Sequence, residues 1–167
     1  MRKLITVFAT VIAVLALTAS AALAVAPTSI TRNGGLHFVG SPDLTVSRTA
    51  TEASLTATGE VAGAGPTATA TLSATAIATR GCINRGSRDQ EPSGLQRSFS
   101  TVTGSETFQT RSGRGTFSVT TDPVNVEGFT CPDGMTEILV SVTFTDITLT
   151  ITSQTGTTTA FYADITV

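Results

Sequence analysis

Side chains that could act as bases or nucleophiles are scarce in this sequence. His37 is its only histidine, and strand alternation would point it away from the face shared by its neighbours Leu36 and Phe38. A serine–histidine–acid device would need this histidine, yet no G-x-S-x-G turn accompanies it. The only lysine, Lys3, lies in an N-terminal segment that we expect to be removed. The sequence therefore predicts no catalytic residue of the histidine or lysine type.

Paired carboxylates are the catalytic chemistry that remains open. Two acidic side chains placed across a glycosidic bond can hydrolyse it, one as the acid and the other as base or nucleophile. The spacing of the acidic residues does not show which of them would meet. The candidates are Glu52, Glu60, Glu106, Glu127, Glu137, Asp146 and Asp164. A deep cleft lined by two of these acids would favour a hydrolase.

Arginines are concentrated in one third of the sequence and could bind anions. A guanidinium donates two parallel hydrogen bonds to a carboxylate, phosphate or sulfate group. The polar residues 83–96 predict a long loop. The candidates for an anion-binding or partner-binding site at this loop are Arg80, Arg85, Arg88 and Arg97. The alternative is a solvated loop in which Asp89 and Glu91 neutralise their neighbours.

Two cysteines, Cys82 and Cys131, complete the set of reactive side chains. An even number of cysteines in an exported chain indicates a disulfide. Closing a loop of this length would contribute about 4 kcal/mol in the chain-entropy model. Zinc takes four ligands, and the sequence offers only two cysteines and one histidine. We therefore predict one disulfide, no metal site and no cofactor.

The N-terminus has the order of segments found in a cleavable signal peptide. Arg2 and Lys3 precede an uncharged apolar run over residues 4–17, and A-x-A patterns follow that end at Ala24 and Ala26. The apolar run is too short to span a bilayer comfortably. We predict a signal peptide over residues 1–26, one secreted, extracellular domain over residues 27–167, and no membrane insertion after cleavage. The net charge of −2 gives little support to nucleic-acid binding.

Alternating apolar and polar residues predict an all-β domain. The clearest alternation covers residues 67–79, where alanines and Leu72 share one face and threonines and a serine share the other. About eight strands separated by turn residues predict a two-sheet Greek-key sandwich of immunoglobulin-like kind, with a closed β-barrel as the second choice. The predicted strands cover residues 36–39, 44–48, 53–62, 67–79, 98–110, 116–121, 138–151 and 161–167.

The predicted disulfide constrains the path of the chain. Cys82 follows the strand over residues 67–79, and Cys131 must return to the same end of the domain. A tight turn at Gly104 would carry Cys131 to the wrong end, so we predict one long strand over residues 98–110 with a bulge at Gly104. Arg111 and Arg114 would then lie at the pole opposite the disulfide. Residues 63–66 have the composition of a hairpin turn.

Strand parity changes in the last third of the sequence. One predicted face carries Ile138, Val140, Val142 and Phe144, and the following face has the opposite parity. A bulge near Thr145 and Asp146 would absorb this slip, as happens where a strand bends from one sheet to the other. The last buried row is predicted to comprise Phe161, Ala163, Ile165 and Val167.

Two stretches resemble a group of small secreted bacterial proteins of unknown function. They are Leu36-His37-Phe38-Val39-Gly40-Ser41-Pro42 and the segment Gly59-Glu60-Val61-Ala62-Gly63-Ala64-Gly65, which leads into the threonine–alanine alternation and Cys82. The resemblance implies secretion and a β-fold, and it carries over no functional residue. In composition the chain is also similar to immunoglobulin-like bacterial chromoprotein carriers. Those carriers have two disulfides and this chain can form one, so their ligand pocket is not carried over.

These observations favour a secreted, non-catalytic β-sandwich protein. Its expected partner is a glycan or a protein at or near the cell surface, bound by a loop on a rigid sandwich. Two alternatives stay open. One is a secreted hydrolase that uses paired carboxylates, and the other is a structural surface subunit that self-assembles by adding an edge strand to its neighbour.

Overall fold

The computed structural model of the protein describes residues 24–84, 91–125 and 128–167. This part of the chain is all-β, and its longest strands are rich in threonine, alanine, valine and isoleucine. The predicted signal peptide falls almost entirely on residues 1–23, which lie outside the described residues. Within the described ranges, no helix is long and apolar enough to cross a membrane.

Eleven strands, named in chain order, make up the described part of the fold. They are β1 (Ser29–Gly34), β2 (His37–Phe38), β3 (Asp43–Arg48), β4 (Glu52–Ala62), β5 (Thr67–Asn84), β6 (Ser93–Gln109), β7 (Gly115–Thr120), β8 (Val124–Asn125), β9 (Met135–Ser153), β10 (Gly156–Phe161) and β11 (Ile165–Thr166). Strands β5, β6 and β9 have 18, 17 and 19 residues, so the sheet that contains them is much longer than the other.

The strands form two antiparallel sheets. The larger sheet has the order β1–β10–β9–β5–β6, with β11 paired to part of β9. The smaller sheet is built around β4, which pairs with β2, β3, β7 and β8. Residues 56–58 of β4 pair with both β3 and β7, so these two strands lie on opposite edges of β4. The arrangement confirms the predicted two-sheet sandwich, and the described strands do not close into a barrel.

The core lies between the sheets and uses alternate positions of the strands. On β5, Leu72 and the alanines at even positions 68–78 are buried, while the residues between them are partly or fully exposed. Bulkier residues of the neighbouring strands fill the remaining space, among them Phe144 and Leu149 of β9 and Leu55 of β4, all at 0 % exposure. This pattern confirms the period-two alternation predicted from the sequence.

β6 runs without interruption from Ser93 to Gln109, which confirms the prediction of one long strand. Its register with β5 continues through the pair Leu72 and Gly104, so the predicted bulge at Gly104 is wrong. Instead, the absence of a side chain at Gly104 allows the two sheets to approach each other closely. A Cβ at this position would collide with the backbone carbonyl oxygen of Thr120, at the end of β7.

Two predicted connections are also wrong. Residues 83–96 do not form one long loop, because β5 continues to Asn84 and β6 begins at Ser93. Pairing with β9 and β5 holds residues 83–84 and 93–96 in strands and overrides their weak strand propensity. Residues 85–90 of the predicted loop lie outside the described residues. Residues 63–66 do not form a hairpin, because β4 and β5, which they connect, belong to different sheets.

β9 has the predicted bulge in its second half. Between Thr145 and Thr148 its pairing with β5 shifts by one residue, and Asp146 has a φ of 52°. The bulge moves the buried positions from even to odd numbers, so that Ile147 is buried. The predicted bend into the other sheet is wrong, because β9 pairs within the larger sheet on both sides of the bulge.

A second irregularity of β9 was not predicted. The pairing with β5 skips Val140, because Thr79 pairs with Ser141 and Arg80 pairs with Leu139. Leu139 is therefore the buried residue, and the prediction that Ile138 and Val140 share the core face is wrong.

The parity of the C-terminal row also differs from the prediction. Ala160 and Tyr162 are buried, whereas Phe161 is 37 % exposed and Ala163 is exposed. The register of β10 with β9 sets this parity, since Ala160 lies opposite the buried Leu149. Further along, residues 165 and 167 are partly buried against the core, as predicted.

The larger sheet continues past the core at one end. The last core residues along its long strands are Ala78 of β5 and Leu139 of β9. Beyond them lie residues 80–84 of β5, 93–96 of β6 and 135–138 of β9, which we call the distal extension. Here β5 pairs with β9 and, through Arg80–Gln96 and Cys82–Ser93, with β6, whose register shifts by one residue between these two pairs. The Cys82–Cys131 disulfide fastens the extension to the segment that follows β8, and it confirms the predicted bridge.

Candidate functional site

Apolar side chains are exposed on the outer face of the larger sheet where the distal extension begins. Phe99 and Leu95 of β6 are 70 % and 61 % exposed, the largest values among the exposed large apolar residues of the described chain. Phe99 lies opposite Ile77 of β5. A Cβ added at Gly81 would lie 2.9 Å from Pro92 Cβ, 3.1 Å from Leu95 Cδ2 and 3.2 Å from Val140 Cγ2, so these three side chains converge over Gly81. We call Ile77, Leu95, Phe99 and Val140 the distal patch.

Arg97 places a positive charge inside the distal patch. It lies between Leu95 and Phe99 on the same face of β6, because alternate residues of a strand share a face. Its side chain is exposed, and its cross-strand neighbour is Thr79. Among the described residues, no carboxylate lies within ion-pair distance of Arg97. Within the described residues, the patch therefore presents a cation without an ion-pair partner, flanked by two apolar side chains.

β6 is the edge strand of its sheet, and its free side adjoins the distal patch. The backbone N–H of Thr110 donates to the carbonyl oxygen of Pro66 over 3.0 Å, so even-numbered residues of β6 direct their backbone groups toward β5. Odd-numbered residues direct theirs away from β5, and the Thr103 carbonyl oxygen accordingly accepts from the N–H of Asp122 over 2.9 Å. Over residues 95–101 no described strand pairs with this outer side.

The backbone beneath the distal patch is held from the smaller sheet. Arg48 Nη2, at the end of β3, donates to the carbonyl oxygens of Leu139 and Val140 over 2.8 and 2.7 Å. The N–H of Leu139 also donates to the carbonyl oxygen of Ala50 over 2.7 Å. These bonds fix the β9 irregularity that places Val140 on the outer face.

The arginines predicted to form one anion-binding loop are not all on one face. Arg97 lies on the outer face, within the distal patch. Arg80 pairs with Gln96, the position next to Arg97, so it lies on the opposite face and is half-buried. Arg85 and Arg88 lie outside the described residues. Of the two predicted arginines that the structure describes, Arg97 therefore lies on the exposed apolar surface and Arg80 does not.

A polar cleft lies at the other end of the sandwich, where β6 turns into β7. Its volume is about 740 Å³, and we call it the proximal cleft. It is lined by Glu60, Gln109, Thr110, Arg111, Ser112, Arg114, Gly115 and Thr116. The β5–β6 register separates this end from Cys82 by the length of β5, about 50 Å. Arg111 and Arg114 therefore lie at the pole opposite the disulfide, as predicted.

A tight turn presents the two arginines of the proximal cleft. The backbones of Arg111 and Arg114 exchange hydrogen bonds of 2.7 and 3.1 Å, and the two residues between them, Ser112 and Gly113, have φ values of 52° and 75°. Arg114 Nη1 lies 3.3 Å from Glu60 Oε1. Arg111 has no ion-pair partner among the described residues, so its guanidinium is available to a ligand.

The acidic candidates do not pair at the proximal cleft. Glu60 lines it, and no second carboxylate does. Glu106 accepts a hydrogen bond from the N–H of Ser118 over 2.9 Å, and Glu127 lies outside the described residues. In the described ranges, no group of three His, Cys, Asp or Glu residues is placed to hold a metal ion. His37 is exposed, with Nδ1 3.0 Å from the carbonyl oxygen of Gly35, which confirms its predicted solvent-facing position.

Leu95 and Phe99 belong to no sequence motif. The signal that could have identified them is strand parity. Val102 and Phe108 occupy the core face of β6, so odd-numbered residues of the same strand must face outward. An apolar side chain at an odd position of this strand is therefore exposed.

No protein-family model and no curated protein matches this chain. Among solved structures, a calcium binding mutant of Bacteroides uniformis beta-glucuronidase 2 is similar over 79 % of this chain, with 16 % sequence identity and a TM-score of 0.24. This chain spans 12 % of the length of that enzyme chain. A similarity at this TM-score carries no argument about fold or function. The resemblance to small secreted bacterial proteins stays a prediction.

Proposed function

We propose that the protein is a secreted, non-catalytic binding module that holds a protein partner on its distal patch, at or near the cell surface. The observation that carries this proposal is the exposure of Phe99 and Leu95, at 70 % and 61 %, on either side of Arg97. Exposed apolar side chains that cluster on a soluble protein mark interaction sites. Aromatic and arginine side chains also supply much of the energy at protein interfaces.

Burial of the distal patch would stabilise a complex at small entropic cost. Removing a leucine or phenylalanine side chain fully from water is worth about 1.5–3 kcal/mol. The strands that carry the patch are already ordered by the disulfide and by the bonds from Arg48. A preorganised surface loses little conformational freedom when a partner binds.

Two further features support the remaining parts of the proposal. The N-terminal sequence has the pattern of a signal peptide, and disulfides persist in oxidising compartments outside the cytosol. The only histidine is exposed, and the proximal cleft is lined by the single carboxylate Glu60. Neither arrangement provides a base held beside a nucleophile, which supports a role in binding.

The test is a retention assay with disulfide-intact protein coupled to beads and a surface-protein extract of the producing cells. The wild type is compared with the double variant Leu95→Thr/Phe99→Thr. Ile30→Thr is the matched control, because Ile30 is also exposed, at 45 %, but lies on β1 at the other edge of the sheet. We expect a protein retained by the wild type and the control and lost from the double variant. Equal retention by all three proteins would contradict the proposal, as would no retention.

A second candidate function is the binding of an anionic glycan in the proximal cleft. The observation that favours it is Arg111, which has no ion-pair partner among the described residues, beside the exposed Arg114–Glu60 pair in an open cleft of about 740 Å³. The measurement is the fraction of protein that sediments with insoluble cell-wall polysaccharide. Retention should fall in Arg111→Gln/Arg114→Gln and persist in Arg32→Gln, an exposed arginine of β1. Unchanged retention in the double variant would remove this candidate.

A further inference from the structure

We infer that the partner binds as an added β-strand along the free edge of β6, and that this strand carries an apolar, an acidic and an apolar residue at alternate positions. The inference rests on the proposed function, because it names how the distal patch is occupied. Strand addition joins main-chain hydrogen bonds, which give affinity, to alternate side-chain contacts, which give specificity.

The odd-numbered residues of β6 direct their backbone groups out of the sheet. The bond from Thr110 to Pro66 assigns the even-numbered residues to the side that faces β5, and the bond from Asp122 to Thr103 assigns the odd-numbered residues to the free side. The register with β5 is regular from Gln109 to Gln96, so this assignment holds along residues 96–109. The N–H and C=O groups of residues 97, 99 and 101 therefore point out of the sheet, and an incoming strand can pair with them.

The same residues of β6 also supply the exposed side chains. Odd positions of β6 lie on the outer face, since the even positions Val102 and Phe108 are buried in the core. An added strand would therefore place alternate side chains directly beside Phe99 and Arg97, and the next one would lie near Leu95, where the register of β6 with β5 shifts. Its outer face would meet an apolar, a cationic and an apolar neighbour.

The charge of Arg97 favours an acidic residue at the central position of the added strand. Arg97 has no carboxylate partner among the described residues. Opposite charges at directly facing positions of paired strands are stabilising, whereas like charges are destabilising. An aspartate or glutamate facing Arg97 would pair with its charge, and apolar residues two positions before and after it would contact the flanking apolar side chains.

A second copy of β6 fits this edge less well. In the antiparallel register that places Leu95 of one copy opposite Phe99 of the other, Arg97 faces Arg97. Like charges directly opposite each other disfavour this pairing. In this register the charge arrangement favours a different, acidic strand over a second copy.

The other edge of the larger sheet lacks these features. β1 is six residues long, and every one of its residues is exposed. It has one large apolar side chain, Ile30, in place of an alternating pair that flanks a cation. β6 is therefore the edge on which we place the partner.

The probe for this inference is the blocked peptide Thr-Val-Thr-Glu-Thr-Val-Thr, titrated into the disulfide-intact protein by calorimetry. We expect saturable binding to the wild type, and an affinity roughly tenfold lower for Arg97→Glu. A second peptide with lysine in place of glutamate should show the reverse preference, binding Arg97→Glu better than the wild type. Phe99→Thr should weaken both complexes. No saturable binding at peptide concentrations up to about 1 mM would overturn the inference.

Backbone methylation separates strand addition from other modes of contact with the same patch. One peptide is N-methylated at the glutamate amide and another at the adjacent threonine amide, which faces the opposite way in a strand. Strand addition predicts that one methyl group lowers the affinity roughly tenfold and that the other has little effect. Equal affinities for the two peptides, with binding still lost in Phe99→Thr, would overturn the edge-strand inference and leave the distal patch as the binding surface. Binding that is unchanged in Phe99→Thr would count against the patch itself.

Self-assembly through this edge gives a different result. We expect light scattering on the protein alone to show no increase of mass with concentration that depends on this edge. Arg97→Glu and Phe99→Thr are the variants that would abolish such an increase. An increase that these variants abolish would show that the edge binds a second copy, and it would overturn the choice of an acidic partner strand.

Discussion

Arg48 and Val140 connect the two sheets at the point where the distal extension leaves the core. Arg48 Nη2 donates to the carbonyl oxygen of Val140 over 2.7 Å and to that of Leu139 over 2.8 Å. A hydrogen bond from a charged donor contributes about 1.5–3 kcal/mol when it is partly buried. The contact also holds the irregularity of β9 that directs the Val140 side chain to the outer face, where it joins the distal patch.

Replacing Arg48 should therefore loosen the distal extension. We expect Arg48→Gln to lower the free energy of unfolding by about 2 kcal/mol, because the carbonyl oxygens of β9 lose their donor. The measurement is a urea titration followed by circular dichroism. Arg32→Gln, an exposed change on β1, is the control and should alter stability by less than about 0.5 kcal/mol. Equal stability of Arg48→Gln and Arg32→Gln would argue against a stabilising role for the bonds from Arg48 to β9.

Gly104 should resist substitution, although alanine is normally preferred to glycine inside a strand. A Cβ at this position would meet the carbonyl oxygen of Thr120, and backbone cannot move aside as a flexible side chain can. We expect Gly104→Ala to cost about 1–3 kcal/mol of stability. Ser105→Ala, one residue further along β6 and exposed, is the control and should be close to neutral. A stabilising Gly104→Ala would contradict the close approach of β6 and β7.

The disulfide should contribute to global stability and to order in the distal extension. It joins residues 49 positions apart, for which the chain-entropy model gives about 4 kcal/mol. We expect Cys82→Ser/Cys131→Ser to lose stability on this scale in a denaturant titration. The wild type under reducing conditions should approach the stability of this variant, whereas the reductant should leave the variant unchanged. If removal of the disulfide lowers the free energy of unfolding by less than about 1 kcal/mol, its stabilising role is contradicted.

We expect the ionisation of Tyr162 to lower the stability of the fold at alkaline pH. It is the only tyrosine of the chain, and its hydroxyl donates to the carbonyl oxygen of Pro42 over 3.3 Å. Burial raises the pKa of Tyr162 well above its usual value near 10, and the nearby charge of Asp43 adds to this effect. The unfolded chain would release this proton near pH 10 while the folded chain retains it. The stabilising contribution is therefore complete below about pH 10 and is lost as the pH rises further.

The check on this prediction is a titration of phenolate absorbance, which reports one residue in this protein. We expect no phenolate until the domain unfolds at alkaline pH. Tyr162→Phe should weaken the alkaline loss of stability, at a cost of about 1 kcal/mol for the missing hydrogen bond. A phenolate that forms near pH 10 in the folded protein would show that the hydroxyl is accessible to water.

The architecture was predictable because strand period and side-chain burial coincide over most of the chain. The threonine–alanine alternation of β5 and the parity change at Asp146 both translate directly into the observed strands. Aspartate tolerates a positive φ better than most residues, which explains why the bulge falls there. By contrast, β1 is exposed on both faces, so no alternation of apolar and polar residues indicates it.

The candidate site was harder to predict because tertiary pairing decides it. Residues 93–96 include Gly94 and only one apolar residue, Leu95, yet they form a strand because β5 extends far enough to pair with Ser93 and Gln96. The regular alternation of Ile138, Val140 and Val142 gives no sign that Val140 is skipped in the pairing. That irregularity depends on bonds from the smaller sheet, which no local pattern contains.

The central claim is that β6 presents a free edge beside the distal patch, and amide hydrogen exchange measured by NMR tests it most directly. Without a partner, the amides of Arg97, Phe99 and Thr101 should exchange much faster than those of Gln96, Ser98 and Ser100, which are bonded to β5. On addition of the glutamate-containing peptide, the fast amides should become protected. Slow exchange at both sets in the free protein would mean that the edge is already covered, and that result would contradict the account.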